Sequence, residues 1–287
     1  MGTLEKILAS NELWFSNPLF MNDFEEVRFG IFIGSQLVMN SDEVASACLK
    51  PERAQLFKRA FTLCFNKFSS EHVFDTYVFC FSEHAKEDND GLLSMWRGYG
   101  GNGNGVAIVV DTAQFAPILA SPLIVAQVHY DTVEARKGWL VDLLSTFSEI
   151  VRTSSIPDDK LHVAAFSLFE RIKLFALFTK HRGFKEENEW RVVYMPDRDS
   201  QRRLQPMFHY FIGSRGVEPK LKFKVQPIGG ITPDDLSLTK ITERILLGPS
   251  ISSPIAYASV TRMFEVLGHS ALNPKLRTST IPFRAIG

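Results

Sequence analysis

Apolar and polar positions follow two different periods along this chain. In short segments they alternate, and these segments are rich in β-branched and aromatic residues, a pattern typical of strands with one buried face. Strands are predicted on this basis over residues 12–16, 73–82, 106–111, 123–130, 189–195, 206–213, 220–225 and 243–247. The segment TIPFRAI, residues 280–286, predicts a closing edge strand.

Longer segments repeat their apolar residues every three or four positions, which is typical of helices. Helices are predicted over residues 3–10, 132–152, 158–180 and 252–267, and a mostly helical stretch runs from about residue 22 to residue 70. Two of these helix starts have the spacing of a capping box, with an acidic residue three positions after a capping residue. They are Asn22 with Glu25 and Asp131 with Glu134.

The order of these elements places strands on both sides of a helix-rich insert at about residues 131–182. No internal repeat, low-complexity tract or long linker interrupts that order. Because the helices are grouped together and do not alternate regularly with strands, the sequence predicts one α+β domain over residues 1–287. Its sheet is expected to be mixed or antiparallel.

Composition and charge narrow the classes of function. Hydrophobic residues make up 45% of the 287 residues and include 24 phenylalanines, which is ample for a folded core. The formal net charge is zero, so no overall field attracts the chain to nucleic acid or anionic lipid, although a local basic patch is compatible with it. The 3 cysteines lack paired spacing, which indicates a reducing compartment. With no apolar run near the ~20 residues that span a bilayer, we expect a soluble cytoplasmic protein without membrane partners.

Polar side chains cluster where the predicted strands and helices end, and such clusters are candidates for a site. The clusters are Asn22, Asp23, Glu25 and Glu26; Ser82, Glu83 and His84; Trp96, Arg97 and Tyr99; Lys180, His181 and Arg182; and Glu186, Glu187 and Glu189. The glycine-rich segment GGNGNG follows the third cluster but precedes a strand and lacks the Lys-Ser/Thr ending of a phosphate-binding P-loop.

The segment FKEENEWRVVYMP carries the densest of these clusters. If its strand begins near Glu187, then Glu187, Glu189 and Arg191 project from one face, with the two carboxylates about 7 Å apart. Such a pair suits cleavage at the anomeric carbon of a sugar: one carboxylate stabilises the oxocarbenium-like transition state and the other orients or deprotonates the acceptor. Ion pairs with Lys180, Lys185 or Arg191 are the structural alternative.

Four ordered segments resemble the bacterial family of unknown function DUF2971. They are LWFSNPLFMNDFEE, FCFSEHAKEDNDGLLSMWRGYGGNGNGVAIVVD, KHRGFKEENEWR and the tail ERILLGPSI…STIPFR, which together extend over nearly the whole chain. That family resembles the ADP-ribosyltransferase superfamily and often accompanies phage-defence genes. The resemblance implies an ADP-ribosyltransferase-like split sheet with a helical insert, and an intracellular toxin or anti-phage effector that uses NAD as its substrate.

The same resemblance implies roles for individual residues. Glu189 would be the catalytic glutamate that contacts the nicotinamide ribose, and Glu187 would be the second member of the E-x-E pair. Ser82 would support Glu189 and the ribose. Tyr99 or Trp96 would stack near the nicotinamide.

One feature of the superfamily has no counterpart here, namely an opening strand whose His or Arg grips NAD. The chain already predicts a helix from Thr3 onward. Either that strand lies outside the sequence or the grip comes from elsewhere, such as Arg97 or Arg191. Asn22 is a further candidate NAD contact, and a helix cap is its structural alternative.

Two other functions remain open on the sequence. A metal-dependent nuclease could use Asp23, Glu25, Glu187 and Glu189 with a nearby lysine to bind Mg²⁺ and activate water. The histidines show no paired-ligand spacing, so no metal site is assigned. A catalytically silent binding or regulatory module would follow from the missing NAD-gripping strand. The acceptor, protein or nucleic acid, stays open, as does an antitoxin or defence-system partner.

Overall fold

The helices and strands of the computed structural model are described over residues 1–21, 24–114, 118, 121–213 and 216–283. The helices are α1 (Gly2–Ser10), α2 (Phe24–Asn40), α3 (Asp42–Ala47), α4 (Pro51–Lys67), α5 (Leu93–Gly98), α6 (Val133–Thr153), α7 (Leu161–Phe178), α8 (Leu238–Ile241) and α9 (Pro254–Val266). The strands are β1 (Glu12–Ser16), β2 (Tyr77–Ser82), β3 (Val106–Val110), β4 (Leu123–Gln127), β5 (His129–Asp131), β6 (Thr179–His181), β7 (Glu189–Tyr194), β8 (Phe208–Gly213), β9 (Gly216–Lys224), β10 (Thr242–Leu247) and β11 (Leu276–Thr278).

Six strands form an antiparallel sheet in the order β4-β7-β2-β1-β9-β8. β2 pairs with β7 over 6 residues, and β1 pairs with β9 over 5. Between these ladders, β1 and β2 pair at a single position, Ser16↔Val78. The sheet therefore consists of two three-stranded halves, β4-β7-β2 and β1-β9-β8, that are joined at one point.

Two smaller sheets complete the strands and contain the parallel pairs. In one, β10 pairs antiparallel with β3 and parallel with β11. In the other, β5 and β6 pair in parallel, with Tyr130 opposite Lys180. The fold is thus α+β with a mainly antiparallel arrangement, as the order of elements in the sequence predicted.

Helices α2, α4 and α7 form a layer over one face of the β4-β7-β2 half. α2 approaches α7 closely through two glycines. A Cβ added to Gly30 would lie 2.6 Å from the Cα and Cβ of Ala176, and one added to Gly34 would lie 2.6 Å from the Cγ2 of Ile172. Phenylalanine rings of α4 and α7 fill the remaining space, among them the fully buried Phe61.

The opposite face of the six-stranded sheet packs against β10, α8 and α9 and forms a second core. Phe15 of β1 contacts rings from both neighbouring strands, Phe79 at 5.3 Å and Phe223 at 5.6 Å between ring centroids. These contacts hold the two halves of the sheet together on this face, beyond the single paired position of β1 and β2.

Most predicted strands and helices are confirmed, but two predicted boundaries near the site are wrong. β2 begins at Tyr77 and not at residue 73, because α4 continues into a π-helical turn, Phe68–His72. The long helix predicted to residue 180 ends at Phe178, and Thr179–His181 forms β6 by pairing with β5.

Three other predictions need correction. The strand predicted over residues 123–130 is two strands, β4 and β5. Asp131 does not cap α6; the cap is Thr132, whose side chain accepts a hydrogen bond from the Ala135 N–H. Among the described residues the last strand is β11; residues 280–283 of the segment predicted as an edge strand form no strand, and residues 284–286 lie outside the described ranges. The proposed Asn22–Glu25 capping box is not tested, because Asn22 and the side chain of Glu25 lie outside the described part of the chain.

An apolar cleft of about 1210 Å³ lies between α6 and α7. Trp139 of α6 stacks on Phe175 of α7 at its wall, with ring centroids 4.7 Å apart. Gly138 also lines this cleft, and no atom lies within 4 Å of the position that a Cβ would occupy there. Within the described ranges, no helix combines the length and apolar character needed to cross a membrane.

We expect Gly138→Ala to raise the free energy of unfolding by ~0.5–1 kcal/mol, because alanine loses less backbone entropy than glycine in a helix interior. The matched change Gly30→Ala should lower it by about 1–3 kcal/mol, because the new methyl group would overlap Ala176. Urea denaturation of both variants beside the unchanged protein measures these effects. A Gly138→Ala variant that is less stable than the unchanged protein would contradict the open surroundings of Gly138.

Candidate functional site

The start of β7 differs from the prediction. Residues Arg182–Glu187 form a 3₁₀ helix, and Asn188 then adopts a left-handed conformation with φ of 41°. This turn reverses the direction of the chain, so β7 starts at Glu189. Glu187 therefore lies ahead of the strand, and the expected alternation of Glu187 and Glu189 along one strand is wrong.

A lysine brings the two glutamates together all the same. The Nζ of Lys180 lies 2.6 Å from Oε2 of Glu187 and 3.4 Å from Oε2 of Glu189. The Lys180 side chain is only 2% exposed, while that of Glu187 is 16% exposed and that of Glu189 is 6% exposed. Lys180 also lies over the ring of Phe184, 4.5 Å from its centroid. A buried ammonium group thus bridges one accessible carboxylate and one buried carboxylate.

Arg191 fixes the buried carboxylate from the other side. Its Nε donates to Oε1 of Glu189 at 2.8 Å, and its Nη2 donates to Oε2 at 3.1 Å. The third contact, from Nη1 to the Leu177 carbonyl at 2.6 Å, ties the guanidinium to the end of α7. This two-point pairing sets the orientation of Glu189 and leaves Arg191 engaged inside the protein.

Electrostatics keep Glu189 ionised. Burial by itself raises the pKa of its carboxyl group, but the hydrogen bonds and charge of Arg191, a hydrogen bond from Cys80 and the charge of Lys180 outweigh burial and lower the pKa. For Cys80, burial and the charge of Glu189 act together and raise the thiol pKa well above its usual range. Cys80 is nevertheless exposed to solvent.

Ser82 and Tyr99 complete the set around the glutamates. Ser82 is the register partner of Glu189, and its hydroxyl donates to the Glu187 carbonyl at 2.7 Å. Tyr99 lies 63% exposed, and its hydroxyl donates to Oε1 of Glu187 at 2.7 Å. Tyr130 of β5 accepts a hydrogen bond from the Glu189 N–H at 2.8 Å. Of the residues predicted from the sequence, Glu187, Glu189, Arg191, Ser82 and Tyr99 therefore lie in one cluster.

The other predicted residues lie elsewhere. Trp96 is buried, and its indole donates to the Asp90 carbonyl at 2.7 Å, so it supports the loop before α5 and does not reach the glutamates. Arg97 lies over the ring of Phe283, 5.2 Å from its centroid. Asn22 is outside the described residues.

Sequence reasoning missed Tyr130 and Cys80 as members of this cluster. No motif marks either one: Tyr130 reaches Glu189 only because β5 pairs with β6, and Cys80 only because β2 pairs with β7. A third polar group lies at the same end of the sheet, where Oε2 of Glu83 accepts hydrogen bonds from Trp190 at 3.1 Å and Gln127 at 3.2 Å. The sequence indicated Glu83, as part of the cluster that follows a strand, but not its partners Trp190 and Gln127.

The metal-dependent nuclease finds no support from these side chains. Among residues whose side chains are described, no group of three or more His, Cys, Asp or Glu residues is placed to hold a metal ion. Asp23 and the side chain of Glu25, two of the predicted ligands, lie outside that set. Lys180 occupies the space between Glu187 and Glu189 where a shared cation would have to bind.

The lowered pKa of Glu189 predicts how the stability of the cluster depends on pH. A carboxyl group with a depressed pKa stabilises the fold above its ordinary value of 4.5 and loses that contribution as pH falls through the folded-state pKa. Glu189→Gln removes the contribution. We therefore expect the unchanged protein to have the higher Tm at pH 7, and the difference in Tm to shrink when both proteins are compared near pH 3.

Thermal denaturation followed by circular dichroism at both pH values measures this difference, and Glu186→Gln, on the exposed side of the same 3₁₀ helix, is the matched control. A Tm difference between the unchanged protein and Glu189→Gln that does not change with pH would contradict the ionised state of Glu189.

Comparison with known proteins gives one match. A family model described as a protein of unknown function (DUF2971) matches residues 95–192. This is about a third of the chain and runs from α5 to β7, so it includes Tyr99, Lys180, Glu187, Glu189 and Arg191. Searches of the curated proteins and of the solved structures gave no match. The match supports the resemblance to the DUF2971 family, over a shorter stretch than the sequence motifs suggested.

Proposed function

We propose that this chain is an NAD-dependent ADP-ribosyltransferase and that the Glu187–Lys180–Glu189 cluster is its active site. The observation that carries the proposal is the pair of carboxylates bridged by one buried lysine at the end of the sheet, beside the exposed Tyr99. Negative charge fixed in this way suits a reaction in which positive charge develops on a ribose ring. The single pairing of β1 and β2 is compatible with the split sheet that the family resemblance implies.

The two glutamates differ in what they can do. Glu189 has both oxygens bound by Arg191, so it contributes a fixed negative charge near the ribosyl cation. Glu187 is more exposed, and the hydrogen bond that it accepts from the exposed Tyr99 hydroxyl is one that a substrate hydroxyl can replace. We therefore assign electrostatic stabilisation to Glu189, and contact with the ribose hydroxyl or the acceptor to Glu187.

The proposed reaction breaks the bond between the anomeric carbon and the nicotinamide nitrogen, and both electrons of that bond leave with nicotinamide. The nucleophilic atom of an acceptor then forms a bond to the same carbon, and its proton passes to Glu187. Tyr99 exposes its ring next to Glu187 and is the aromatic residue placed to stack on nicotinamide. Ser82 holds the Glu187 backbone and so positions that carboxylate.

The biological setting of this proposal comes from the family resemblance. An intracellular toxin or anti-phage effector would modify a protein or nucleic-acid acceptor, and an antitoxin or defence-system partner would keep the activity in check. Arg97 is exposed beside the ring of Phe283 and stays a candidate for the arginine that binds NAD, whereas Arg191 is already bound to Glu189.

A second candidate is a catalytically silent binding or regulatory module. The observation that favours it is the internal pairing of Glu189, whose carboxylate is buried and bound by Arg191 and Lys180 within the chain. In such a module the cluster would hold β6 against β7 and serve the fold alone. The two candidates differ in whether NAD is consumed.

We expect the purified protein, with cell lysate as the source of acceptor, to release nicotinamide from NAD. Glu189→Gln and Glu187→Gln should each reduce the rate by about 10²-fold or more, because each removes a negative charge that acts in the transition state. Glu186→Gln, an exposed neighbour in the same turn, should retain the full rate. Nicotinamide is measured by chromatography, and labelled NAD reports whether ADP-ribose is transferred or released by hydrolysis.

Circular dichroism and a Tm for each variant establish that the compared proteins are folded at the assay temperature. Undiminished release by folded Glu189→Gln and Glu187→Gln would reject the assignment of the active site. No release by the folded, unchanged protein would reject ADP-ribosyl transfer and favour the silent module.

A further inference from the structure

A row of lysines occupies one face of the β1-β9-β8 half of the sheet. Residues directly opposite each other on paired strands share a face. On β9 that face carries Lys220, Lys222 and Lys224, and their partners on β1 are Ser16, Trp14 and Glu12 respectively. Two contacts agree with this register: the Lys220 Nζ donates to Ser16 Oγ at 2.9 Å, and the Lys222 Nζ lies 4.3 Å from the centroid of the Trp14 ring.

The same face continues to the candidate active site. Ser16 is paired with Val78, so Cys80 and Ser82, two and four residues further along β2, point to the same side as the lysines. Cys80 and Ser82 are paired in turn with Arg191 and Glu189 of β7. The lysine row and Glu189 therefore project from the same side of the sheet, with β1 and β2 between β9 and β7.

Part of this surface is open to solvent. Cys80, on the inner strand β2, is exposed. Lys224 is exposed, and Lys222 and Trp14 are partly exposed. Phe211 of the edge strand β8 is 38% exposed and lies 6.0 Å from Trp14 between ring centroids. A solvated face of a sheet that carries neighbouring aromatic rings among its lysines is unusual.

The lysines on this face differ in whether a buried carboxylate pairs with them or solvent, and hence a ligand, can reach them. Lys220 is 12% exposed and lies 3.1 Å from the buried carboxylate of Glu218, so it serves the fold. Lys222 and Lys224 are the cations that solvent reaches. The acidic residue opposite Lys224 on β1 is Glu12, whose Oε2 accepts a hydrogen bond from the Trp14 indole at 3.1 Å.

We propose that this face binds single-stranded nucleic acid and delivers it to Glu187 and Glu189 as the acceptor. Lys222 and Lys224 would contact successive phosphates, since alternate residues of a strand lie about 7 Å apart. Trp14 and Phe211 would stack on unpaired bases, which is how sheet surfaces bind single strands without base pairing. Nucleic-acid binding stands by itself, whereas the role as acceptor rests on the proposed function.

The chemistry of the row favours a nucleic acid over an acidic protein segment. Alternating cations and aromatic rings match a ligand that alternates phosphates and flat bases, and an acidic peptide offers only the charges. A duplex would offer its phosphates but keep its bases stacked on one another, away from Trp14. The neutral net charge of the chain does not oppose local binding, because Lys222 and Lys224 act at contact distance from the ligand.

Fluorescence anisotropy with labelled, mixed-sequence single-stranded DNA and RNA oligonucleotides tests the binding as a function of salt. The unchanged protein should bind, with an affinity that falls as salt rises. Lys222→Ala with Lys224→Ala should lower the magnitude of the log–log salt slope by about 1.4, which is ~0.7 for each lost phosphate contact on a single strand. Lys67→Ala with Lys137→Ala, two exposed lysines on helices away from this face, is the matched control and should bind normally.

Trp14→Leu separates stacking from charge. Loss of one stacked base should weaken binding by about tenfold with little change in the salt slope. The fluorescence of Trp14 gives a second measurement, because stacking on a base quenches it. The quenching that the oligonucleotide causes should therefore be smaller in Trp14→Leu than in the unchanged protein.

Three results would overturn the proposal. The first is that the unchanged protein does not bind the oligonucleotides at low salt. The second is that it binds a duplex of the same sequence more tightly. The third is that Lys67→Ala with Lys137→Ala weakens binding as much as Lys222→Ala with Lys224→Ala does. If Lys222→Ala with Lys224→Ala weakens NAD binding and no oligonucleotide binds, the face holds the NAD diphosphate and the proposed nucleic-acid occupant is wrong.

Failure of the proposed function is distinguishable from failure of this inference. Oligonucleotide binding that depends on Lys222 and Lys224, with no nicotinamide release, would support the binding face and reject ADP-ribosyl transfer. Nicotinamide release with labelled ADP-ribose found on protein and none on the oligonucleotide would support ADP-ribosyl transfer and reject the acceptor proposed here.

Discussion

The contact of the Lys180 ammonium group with two carboxylates is the interaction on which the end of the six-stranded sheet depends. Four charged side chains meet there, Lys180 and Arg191 against Glu187 and Glu189, so the charges of the group sum to zero. Moving such groups out of water costs several kcal/mol for each ion unless its partners are well placed. Loss of any one member would leave an uncompensated charge in a region where Lys180, Glu189 and Arg191 are all buried.

The geometry of that group explains the order of the elements around it. Lys180 reaches the glutamates from β6, which is placed by parallel pairing with β5. Parallel strands cannot be joined by a tight turn and need a long crossover. The chain between them is the hairpin of α6 and α7, so the helix-rich insert is the crossover that a parallel β5–β6 pair requires. Its last turn also supplies the Leu177 carbonyl that holds Arg191.

The sequence was sufficient to predict the α+β class, the positions of most strands and the cluster of Glu187, Glu189, Arg191, Ser82 and Tyr99. It was insufficient at positions where tertiary pairing overrides local pattern. Thr179 and Lys180 were predicted as the end of the long helix but belong to β6, because β5 pairs alongside them. The alternation of glutamates failed at Asn188, since a left-handed residue changes the direction of the chain without changing the hydrophobic pattern. The lysine row is visible in the sequence as KLKFK, yet only the register with β1 and β2 reveals that it shares a face with Glu189.

The contrast between the two glutamates follows from where each lies on the chain. Glu189 is the first residue of a central ladder and is bound on both oxygens, so it cannot move without breaking contacts to Arg191 and Lys180. Glu187 ends a 3₁₀ turn and, besides the buried Lys180, meets the hydroxyl of the exposed Tyr99, a side chain that can rearrange at small cost. A site that must both hold a charge and exchange a hydrogen-bond partner needs one carboxylate of each kind. A purely structural ion pair would need only the first, so Glu187 is the member of the cluster whose replacement most directly separates the proposed active site from a salt bridge that serves the fold alone.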